Sequence, residues 1–337
     1  MKPRLAITLG DVNGVGPEIL LKALSNPAVW DACEPVVIGS VGALEQVRSA
    51  LAGPDTPALR AVAVADLVAA GGPGAVPVVD GGVEAPAVEP GRLDAEAGRC
   101  AVKWLRLGVR LAMDGTVGGI VTCPLNKEGI HLAGFAYPGH TEIIAEMTGA
   151  PDYRMSLFAD GLRIVHITSH CALTEAIAQV RADRIATTIR IADDALGRLG
   201  LARRRIAVAA LNPHAGEAGA FGTEEAAEIA PAITACREEG IDCSGPHPAD
   251  TVFSRMNLGE FDLVVAMYHD QGHIPLKLVA MDRGVNVTLG IPIVRTSVDH
   301  GTAYDIAGKG IAREDSLLAA IALAAKLASP EAAGRRD

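Results

Sequence analysis

Short apolar runs alternate along the chain with longer amphipathic segments. The runs are rich in β-branched residues and lack strict alternation, which is typical of strands covered on both faces. The strand candidates are residues 5–9, 35–39, 118–123, 162–168, 205–210, 262–268 and 286–289. The helix candidates are residues 17–24, 94–113, 182–199, 223–239 and 315–327. This alternation predicts an α/β fold with a mainly parallel sheet.

Local signals support several of these helix boundaries. Pro17 occupies a first helical position, where its missing N–H costs nothing, and Asp94 is a candidate N-cap. Pro231 interrupts the fourth helix candidate, because proline cannot donate the helical hydrogen bond. Residues 52–93 are rich in Gly, Pro, Ala and Val and are predicted to form loops and short strands.

The composition bounds the fold and the possible partners. A chain of 337 residues with 49% hydrophobic residues predicts two domains, or one large two-lobed α/β unit. Only 3% of the residues are aromatic, so the core must be built from aliphatic side chains. The net charge of -10 argues against nucleic acid or an anionic membrane as a partner, since both require a basic surface.

The chain predicts a cytoplasmic protein. The apolar stretch near the N-terminus ends at Asp11, too soon for a secretory signal, and no apolar run approaches the roughly 18 residues of a membrane span. The six cysteines form no CxxC pair, so we expect reduced and mostly buried thiols.

Three strand candidates lead directly into histidines: His170, His214 and His269. Carboxyl ends of parallel strands share one edge of a sheet, so the three imidazoles could bind one divalent metal with open coordination positions. The alternative is three unrelated histidines at the starts of loops. His166 lies inside its strand and is predicted to be a packed core residue. Asp270 is the first candidate for a general base, although an ordinary loop aspartate is the safer expectation.

Residues 10–18 form a glycine-rich loop between the first strand and the first helix. The loop matches neither the G-x-G-x-x-G nor the G-x-x-x-x-G-K-[ST] pattern, so a structural turn and a binding loop both remain open. His140 and Thr141 stand at a predicted helix start, where they could donate to an anion, or Thr141 could simply cap the helix. Lys277 and Arg295 are candidate anion-binding cations, and the alternative for each is a surface cation.

Eight segments together resemble the 4-hydroxythreonine-4-phosphate dehydrogenase family, including the closely similar 4-phospho-D-threonate and 4-phospho-D-erythronate dehydrogenases. They are Gly-Asp-Val-Asn-Gly-Val-Gly-Pro-Glu (10–18), Pro-Gly-His-Thr-Glu (138–142), Thr-Ser-His (168–170), Leu-Asn-Pro-His-Ala-Gly-Glu (211–217), Pro-Ala-Asp-Thr (248–251), Met-Tyr-His-Asp-Gln-Gly (267–272), Arg-Gly-Val-Asn-Val-Thr-Leu-Gly (283–290) and Arg-Thr-Ser-Val-Asp-His-Gly-Thr-Ala (295–303). They span almost the whole chain.

The resemblance implies roles for the candidate site residues. It implies that three histidines bind one divalent ion (Zn, Mg, Co or Mn) shared across a homodimer interface: His170, His214 and His269. It also implies a set of substrate-binding residues: His140, Thr141, Lys277, Asn286 and Arg295.

A more distant similarity concerns the cofactor. Residues 299–310 resemble the adenosine-binding loop of isopropylmalate and isocitrate dehydrogenases, and residues 10–18 resemble their N-terminal glycine loop. By that similarity His300 lies near adenine and Asp305 near the ribose. A carboxylate there repels a 2′-phosphate, so NAD is favoured over NADP.

The resemblance further implies a two-lobed α/β/α fold similar to that of isocitrate and isopropylmalate dehydrogenases. Residues 1–125 plus 285–337 would form the lobe with the glycine and cofactor loops. Residues 126–284 would carry the metal ligands and the dimer interface, with the active site in the cleft.

The implied activity is the NAD- and metal-dependent oxidation, with decarboxylation, of 4-hydroxythreonine 4-phosphate, as in pyridoxal phosphate biosynthesis. The alternative is a 4-phospho-D-threonate or 4-phospho-D-erythronate 3-dehydrogenase. Residues 272–278 are similar to the corresponding segment of that branch. A metal-dependent hydrolase or aldolase would share the histidines but would have no use for residues 299–310.

Overall fold

The computed structural model describes residues 2–51, 57–69 and 74–329. The chain forms two compact units. The first unit consists of Met1–Pro151 and Ile291–Pro330, and the second is built on Asp152–Gly290. The lobes inferred from the sequence, 1–125 plus 285–337 and 126–284, stay a prediction.

The first unit contains a parallel sheet with the order β3-β4-β2-β1-β5-β12. Its strands are β1 (Arg4–Thr8), β2 (Glu34–Ile38), β3 (Ala58–Ala61), β4 (Ala75–Val79), β5 (Gly119–Thr122) and β12 (Arg295–Val298). Its helices are α1 (Gly16–Ser25), α2 (Pro27–Ala32), α3 (Val41–Leu51), α4 (Ala95–Met113), α5 (Lys127–Leu132), α6 (His140–Thr148) and α12 (Asp315–Leu327), with a 3₁₀ turn at Val64–Ala69.

The second unit contains a mixed sheet with the order β11-β6-β7-β10-β8-β9, in which β6 is antiparallel to both of its neighbours. Its strands are β6 (Arg154–Ala159), β7 (Leu162–His166), β8 (Ile206–Ala209), β9 (Cys243–His247), β10 (Leu263–Ala266) and β11 (Val285–Leu289). Its α-helices are α7 (Leu173–Ala178), α8 (Ala182–Arg198), α9 (Ala230–Glu238), α10 (Ala249–Asn257) and α11 (His269–Ala280).

These elements confirm the mainly parallel α/β fold predicted from the sequence. Each strand and helix candidate corresponds to an observed element. The Asp94 carboxylate accepts hydrogen bonds from Glu96 N and Ala97 N, as an N-cap residue does. Pro231 lies in the first turn of α9, directly after a π-helical turn at Glu225–Ile229, so the helix accommodates the proline without a break.

The interior is aliphatic, as the composition predicts. The four residues of β10, Leu263–Ala266, are fully buried, and so is Trp104 on α4. All six cysteines are free thiols, and five of them are buried, with Cys171 the exception. Within the described ranges, we find no helix with the length and apolar character that crossing a bilayer requires.

Candidate active site

The three histidine-ended strands are neighbours in the sheet of the second unit. Strands β7, β10 and β8 are adjacent and parallel. Their carboxyl ends therefore share one edge, and from this edge the chain leads to His170, His269 and His214 respectively. The sheet order therefore brings the three histidine-bearing strand ends to one edge of the sheet.

Two of these imidazoles lie side by side. The ring centroids of His170 and His269 are 5.6 Å apart, and both residues line a cavity of about 320 Å³ that also includes Cys171 and Tyr268. His269 Nδ1 donates to Asp270 Oδ1 over 2.7 Å. A histidine whose Nδ1 donates to a carboxylate keeps its Nε2 lone pair for a metal, so the donor chemistry fits a divalent ion.

Asp270 therefore contacts a candidate ligand directly. The carboxylate is exposed, and the hydrogen bond from His269 is the main cause that lowers its pKa. Lowering the pKa makes a carboxylate a weaker base, so this contact favours an orienting role over proton abstraction. The general-base role that the sequence suggested for Asp270 stays a prediction.

His214 lies on a left-handed turn. From His214 (φ 53°, ψ 29°) to Ala218 (φ 55°, ψ 30°), every residue has positive φ, and only Gly216 among them is a glycine. For L-residues this conformation costs about 1–2 kcal/mol each. Sequence reasoning missed this turn, since nothing in the apolar pattern of 211–219 signals it. Strain of this kind persists where surrounding contacts hold it, often at functional sites.

Within the described residues of one chain, no group of three or more His, Cys, Asp or Glu residues could hold a metal ion. The structure thus brings His170 and His269 together, while His214 is not grouped with them as a third ligand. A three-histidine site would therefore have to take one imidazole from a second copy of the chain. The metal-ligand roles of all three residues stay predictions.

His166 and His273 form a buried pair next to His269. The His273 ring stacks on the His269 ring with centroids 3.6 Å apart, and His273 Nδ1 lies 3.2 Å from His166 Nε2. His166 Nδ1 lies 3.1 Å from Met155 O and must donate to it, which leaves Nε2 as the acceptor for His273. Burial, and then the neighbouring His273, lower the pKa of His166, so the ring is neutral in the fold. The core position predicted for His166 agrees with its burial.

We expect the free energy of unfolding of the metal-free protein to fall as the pH drops below about 6.5, the ordinary histidine pKa. The lowered pKa of His166 means that the unfolded chain binds this proton more readily than the fold does. His166 therefore makes its full contribution to the free energy of unfolding above the ordinary histidine pKa, and this contribution is lost as the pH falls below it. Urea unfolding at pH values of about 7.5 and 5.5 should show a smaller difference for His166→Gln than for the exposed control His131→Gln. Equal differences in the two variants would contradict this assignment.

The first unit contains a separate group suited to an anion. Arg295 is the first residue of β12, and its Nη2 donates to Thr122 Oγ1 on the neighbouring strand β5 over 2.9 Å. The run Ile-Pro-Ile-Val at 291–294 is strand-like in sequence, whereas β12 begins only with Arg295 itself. Burial lowers the pKa of Arg295 to about 10. This pKa is still well above 7, so the guanidinium stays charged at neutral pH.

His140 and Thr141 begin α6, as the sequence predicted for a helix start. Gly139 occupies the N-cap position and there is no side-chain cap, so Thr141 does not cap this helix. Burial, and then the charge of Arg295, hold the pKa of His140 well below its usual range. Lys127, the first residue of α5, also contributes to this shift. Sequence reasoning missed Lys127, whose only signal is its position just after the end of β5.

Two further substrate candidates lie in the second unit. Lys277 is a half-buried residue of α11, and Asn286 is a half-buried residue of β11 opposite Leu157 on β6. Their proposed contacts with substrate stay predictions.

In the first unit, the glycine-rich loop and α1 hold the segment that carries the cofactor candidates. Glu18, buried on α1, accepts hydrogen bonds from Gly310 N and Ala312 N. Lys22, one turn later, donates to Glu18 and to both carbonyl oxygens, Gly310 O and Ala312 O. Glu18 and Lys22 together thus bind the backbone N–H and C=O groups at the end of the segment 299–312.

The middle of that segment is held by the glycine loop itself. Tyr304 Oη donates to Asp11 Oδ2 over 2.6 Å, and Val15 N donates to Thr302 O over 2.9 Å. A Cβ at Gly14 would lie 2.9 Å from Thr302 O, so only glycine permits this approach. These contacts favour a structural role for the loop. His300 and Asp305 are exposed on the held segment.

Comparisons with known proteins define first a class and then a family. The D-threonate 4-phosphate dehydrogenase of Cupriavidus necator is 45% identical over 98% of this chain and 98% of that protein. The same enzyme of Salmonella typhimurium is 47% identical over 96% of this chain and 98% of that protein. A solved 4-hydroxythreonine-4-phosphate dehydrogenase from Klebsiella pneumoniae has a TM-score of 0.88 and 44% identity, covering 97% of this chain and 100% of that one. The protein is a dehydrogenase.

The family follows from a family model. The model of the pyridoxal phosphate biosynthetic protein PdxA matches residues 31–324, and the chain belongs to the PdxA family. This confirms the family resemblance inferred from the sequence motifs.

Proposed function

We propose that the protein oxidises, with NAD and a divalent metal ion, the secondary hydroxyl of a four-carbon acid phosphorylated at its far end, with loss of the carboxylate as CO₂. The observation that carries the proposal is the trio of adjacent parallel strands β7, β10 and β8, each of which leads to a histidine. Membership in the PdxA family supports it.

His170, His214 and His269 would hold the metal ion. A divalent ion bound there would supply Lewis acidity that lowers the pKa of the substrate hydroxyl. The His269–Asp270 hydrogen bond would keep the His269 ring in the tautomer that presents Nε2. The sequence predicts Asp270 as the general base, and this role is kept here as part of the proposal.

His140, Thr141 and Arg295 would bind the phosphate or carboxylate of the substrate, together with Lys277 and Asn286. The buried guanidinium of Arg295 supports this role, because a desolvated cation interacts strongly with an anion. The start of α6, with His140 and Thr141 in its first turn, adds the favourable end of a helix dipole.

A second copy of the chain would complete the site in a homodimer. Helix α11, which begins with His269, exposes large apolar side chains at Ile274 and Leu278, and the residue that follows the helix, Met281, is exposed as well. Leu173 and Ile177 on α7, the helix that follows His170, are exposed as well. Apolar side chains clustered in this way mark association surfaces. A partner seated on them would bring its own residues to the His170–His269 pair.

NAD would accept the hydride and would bind at residues 299–310, with His300 at the adenine and Asp305 at the ribose hydroxyls. Asp305→Ser is expected to improve kcat/KM for NADP relative to NAD, because the carboxylate repels the 2′-phosphate. The ratio of the two kcat/KM values, measured at saturating substrate, checks this expectation. Asp299→Ser on the same segment is the matched control. A wild-type enzyme that prefers NADP would refute the assignment of the loop.

The first substrate candidate is 4-hydroxythreonine 4-phosphate, which agrees with the description of the family and with the name of the Klebsiella enzyme. The second is D-threonate 4-phosphate, which carries a hydroxyl in place of the amine and is favoured by the names of the relatives at 45% and 47% identity.

The test is NADH formation from both phosphorylated acids and from their unphosphorylated counterparts, with and without added Mg²⁺, Mn²⁺, Co²⁺ or Zn²⁺. We expect metal-dependent NADH formation with a phosphorylated acid, and the higher kcat/KM of the two assigns the substrate. NADH formation that persists after exhaustive metal chelation, or that needs no phosphate, would overturn the proposal.

A further inference from the structure

Glu225 is a buried carboxylate that the proposed chemistry does not use. It is 6% exposed and is the first residue of the π-helical turn Glu225–Ile229. Its Oε1 accepts hydrogen bonds from two consecutive backbone groups, Leu211 N over 2.9 Å and Asn212 N over 2.7 Å. Its Oε2 accepts from Asn212 Nδ2 over 2.9 Å. One side chain thus binds three donors of the segment that immediately precedes His214.

The same carboxylate also contacts the middle of the left-handed turn. A Cβ placed on Gly216 would lie 2.8 Å from Glu225 Oε2, so the turn packs directly against the carboxylate. The end of the turn is closed by its own backbone, with Phe221 N donating to Gly216 O and Ala220 N donating to Glu217 O. Glu225 therefore restrains the entry and the centre of the turn.

The turn needs such a restraint because its conformation is unfavourable on its own. His214, Ala215, Glu217 and Ala218 all have positive φ, which L-residues adopt only when surrounding contacts over-determine it. A carboxylate is suited to this position, because both of its oxygens accept N–H hydrogen bonds, whereas the amide of glutamine would place an NH₂ donor against a donor at one of the two positions.

We propose that Glu225 is a positioning residue, which holds the left-handed turn through Leu211, Asn212 and Gly216 and thereby sets His214 in place as a metal ligand. The proposal rests on the proposed function, since it takes His214 to be a ligand. It assigns to Glu225 an effect on metal binding without contact with the metal.

The first test compares Glu225→Gln with Glu224→Gln in the purified full-length enzyme. Glu224 is the matched control, since its Oε2 also accepts from Asn212 Nδ2 and from Thr223 N but is not bonded to Leu211 N or Asn212 N. We expect Glu225→Gln to weaken Mn²⁺ binding, measured by calorimetry, about 10- to 100-fold, as loss of an outer contact to a metal ligand does. Hydrogen exchange across 211–219 should become faster, and NAD affinity should not change. Glu224→Gln should show a much smaller effect on both measurements.

A second pair of variants leaves the carboxylate in place and guards against misfolding of Glu225→Gln. Gly216→Ala places a methyl group against Glu225, whereas Gly219→Ala introduces the same strain at φ 97° with no heavy atom within 4 Å of the new methyl. We expect Gly216→Ala to weaken Mn²⁺ binding clearly more than Gly219→Ala.

His214→Ala, measured in parallel, distinguishes failure of the positioning role of Glu225 from failure of the metal site. If His214→Ala loses Mn²⁺ while Glu225→Gln and Gly216→Ala bind it like the wild type, the metal site stands and the positioning role of Glu225 is refuted. If His214→Ala binds Mn²⁺ like the wild type, His214 is not a ligand, and the proposed function and this inference fail together.

Discussion

His214→Ala is expected to release the divalent metal ion and to lower kcat/KM on the order of a thousandfold, while the fold stays intact. A metal ion contributes several kcal/mol to stabilising the transition state, and each 1.36 kcal/mol is a factor of about ten in rate. The substitution should be tolerated structurally, because Ala215 already adopts the same backbone conformation at φ 56°. Metal content by mass spectrometry, kcat/KM and circular dichroism together measure the effect.

The exposed residue His131 provides the control, since His131→Ala should keep both the metal and the activity. A His214→Ala enzyme that retains a full complement of metal would rule out the three-histidine site. The sharing of the site between subunits can be measured by mixing inactive His214→Ala and His269→Ala subunits. Because His170 and His269 are adjacent within one chain, a mixed dimer should contain one complete site and recover activity.

Arg295→Lys is expected to lower kcat/KM for the phosphorylated substrate about ten- to a hundredfold. A charge-assisted hydrogen bond contributes about 1.5–3 kcal/mol, and lysine replaces a planar, bidentate donor by a point charge. The same variant should have a much smaller effect on any residual activity towards the unphosphorylated acid. The measurement is kcat/KM for both acids in wild type and variant.

Arg154→Lys is the matched control for this substitution, because Arg154 and Arg295 are both 3% exposed. Arg154 donates to Thr188 Oγ1 and Tyr153 O, and it is not a candidate contact of the substrate. Its replacement should lower the melting temperature without selective loss of phosphate recognition. If Arg295→Lys behaves like Arg154→Lys, Arg295 is a structural cation and the phosphate requirement loses its main support.

The sequence by itself predicted the strands that lead to the three histidines, the first two strands and the long helices α4, α8 and α12, but not the antiparallel strand β6 or the helix α11 that begins with His269. This was possible because the required information is local: β-branched runs, helical periodicity, Asp94 as an N-cap and histidines directly after strands. The order β7-β10-β8, which makes these three strands neighbours, is not contained in these local signals and was decided by the tertiary structure.

Contacts between distant segments were decided only by the tertiary structure. The glycine loop could have been a binding loop by its own sequence, and its structural role appears only when Asp11 meets Tyr304, 293 positions away.

The left-handed turn at His214 shows why local sequence could not predict such contacts. Ala215 and Ala218 strongly favour right-handed helix as isolated residues, so local propensity predicts the wrong hand. The turn exists because Glu225, further along the chain, accepts the Leu211 and Asn212 N–H groups and packs against Gly216. Local sequence therefore identified the candidate residues for the chemistry, and tertiary contacts determined the backbone conformation of the turn that carries His214.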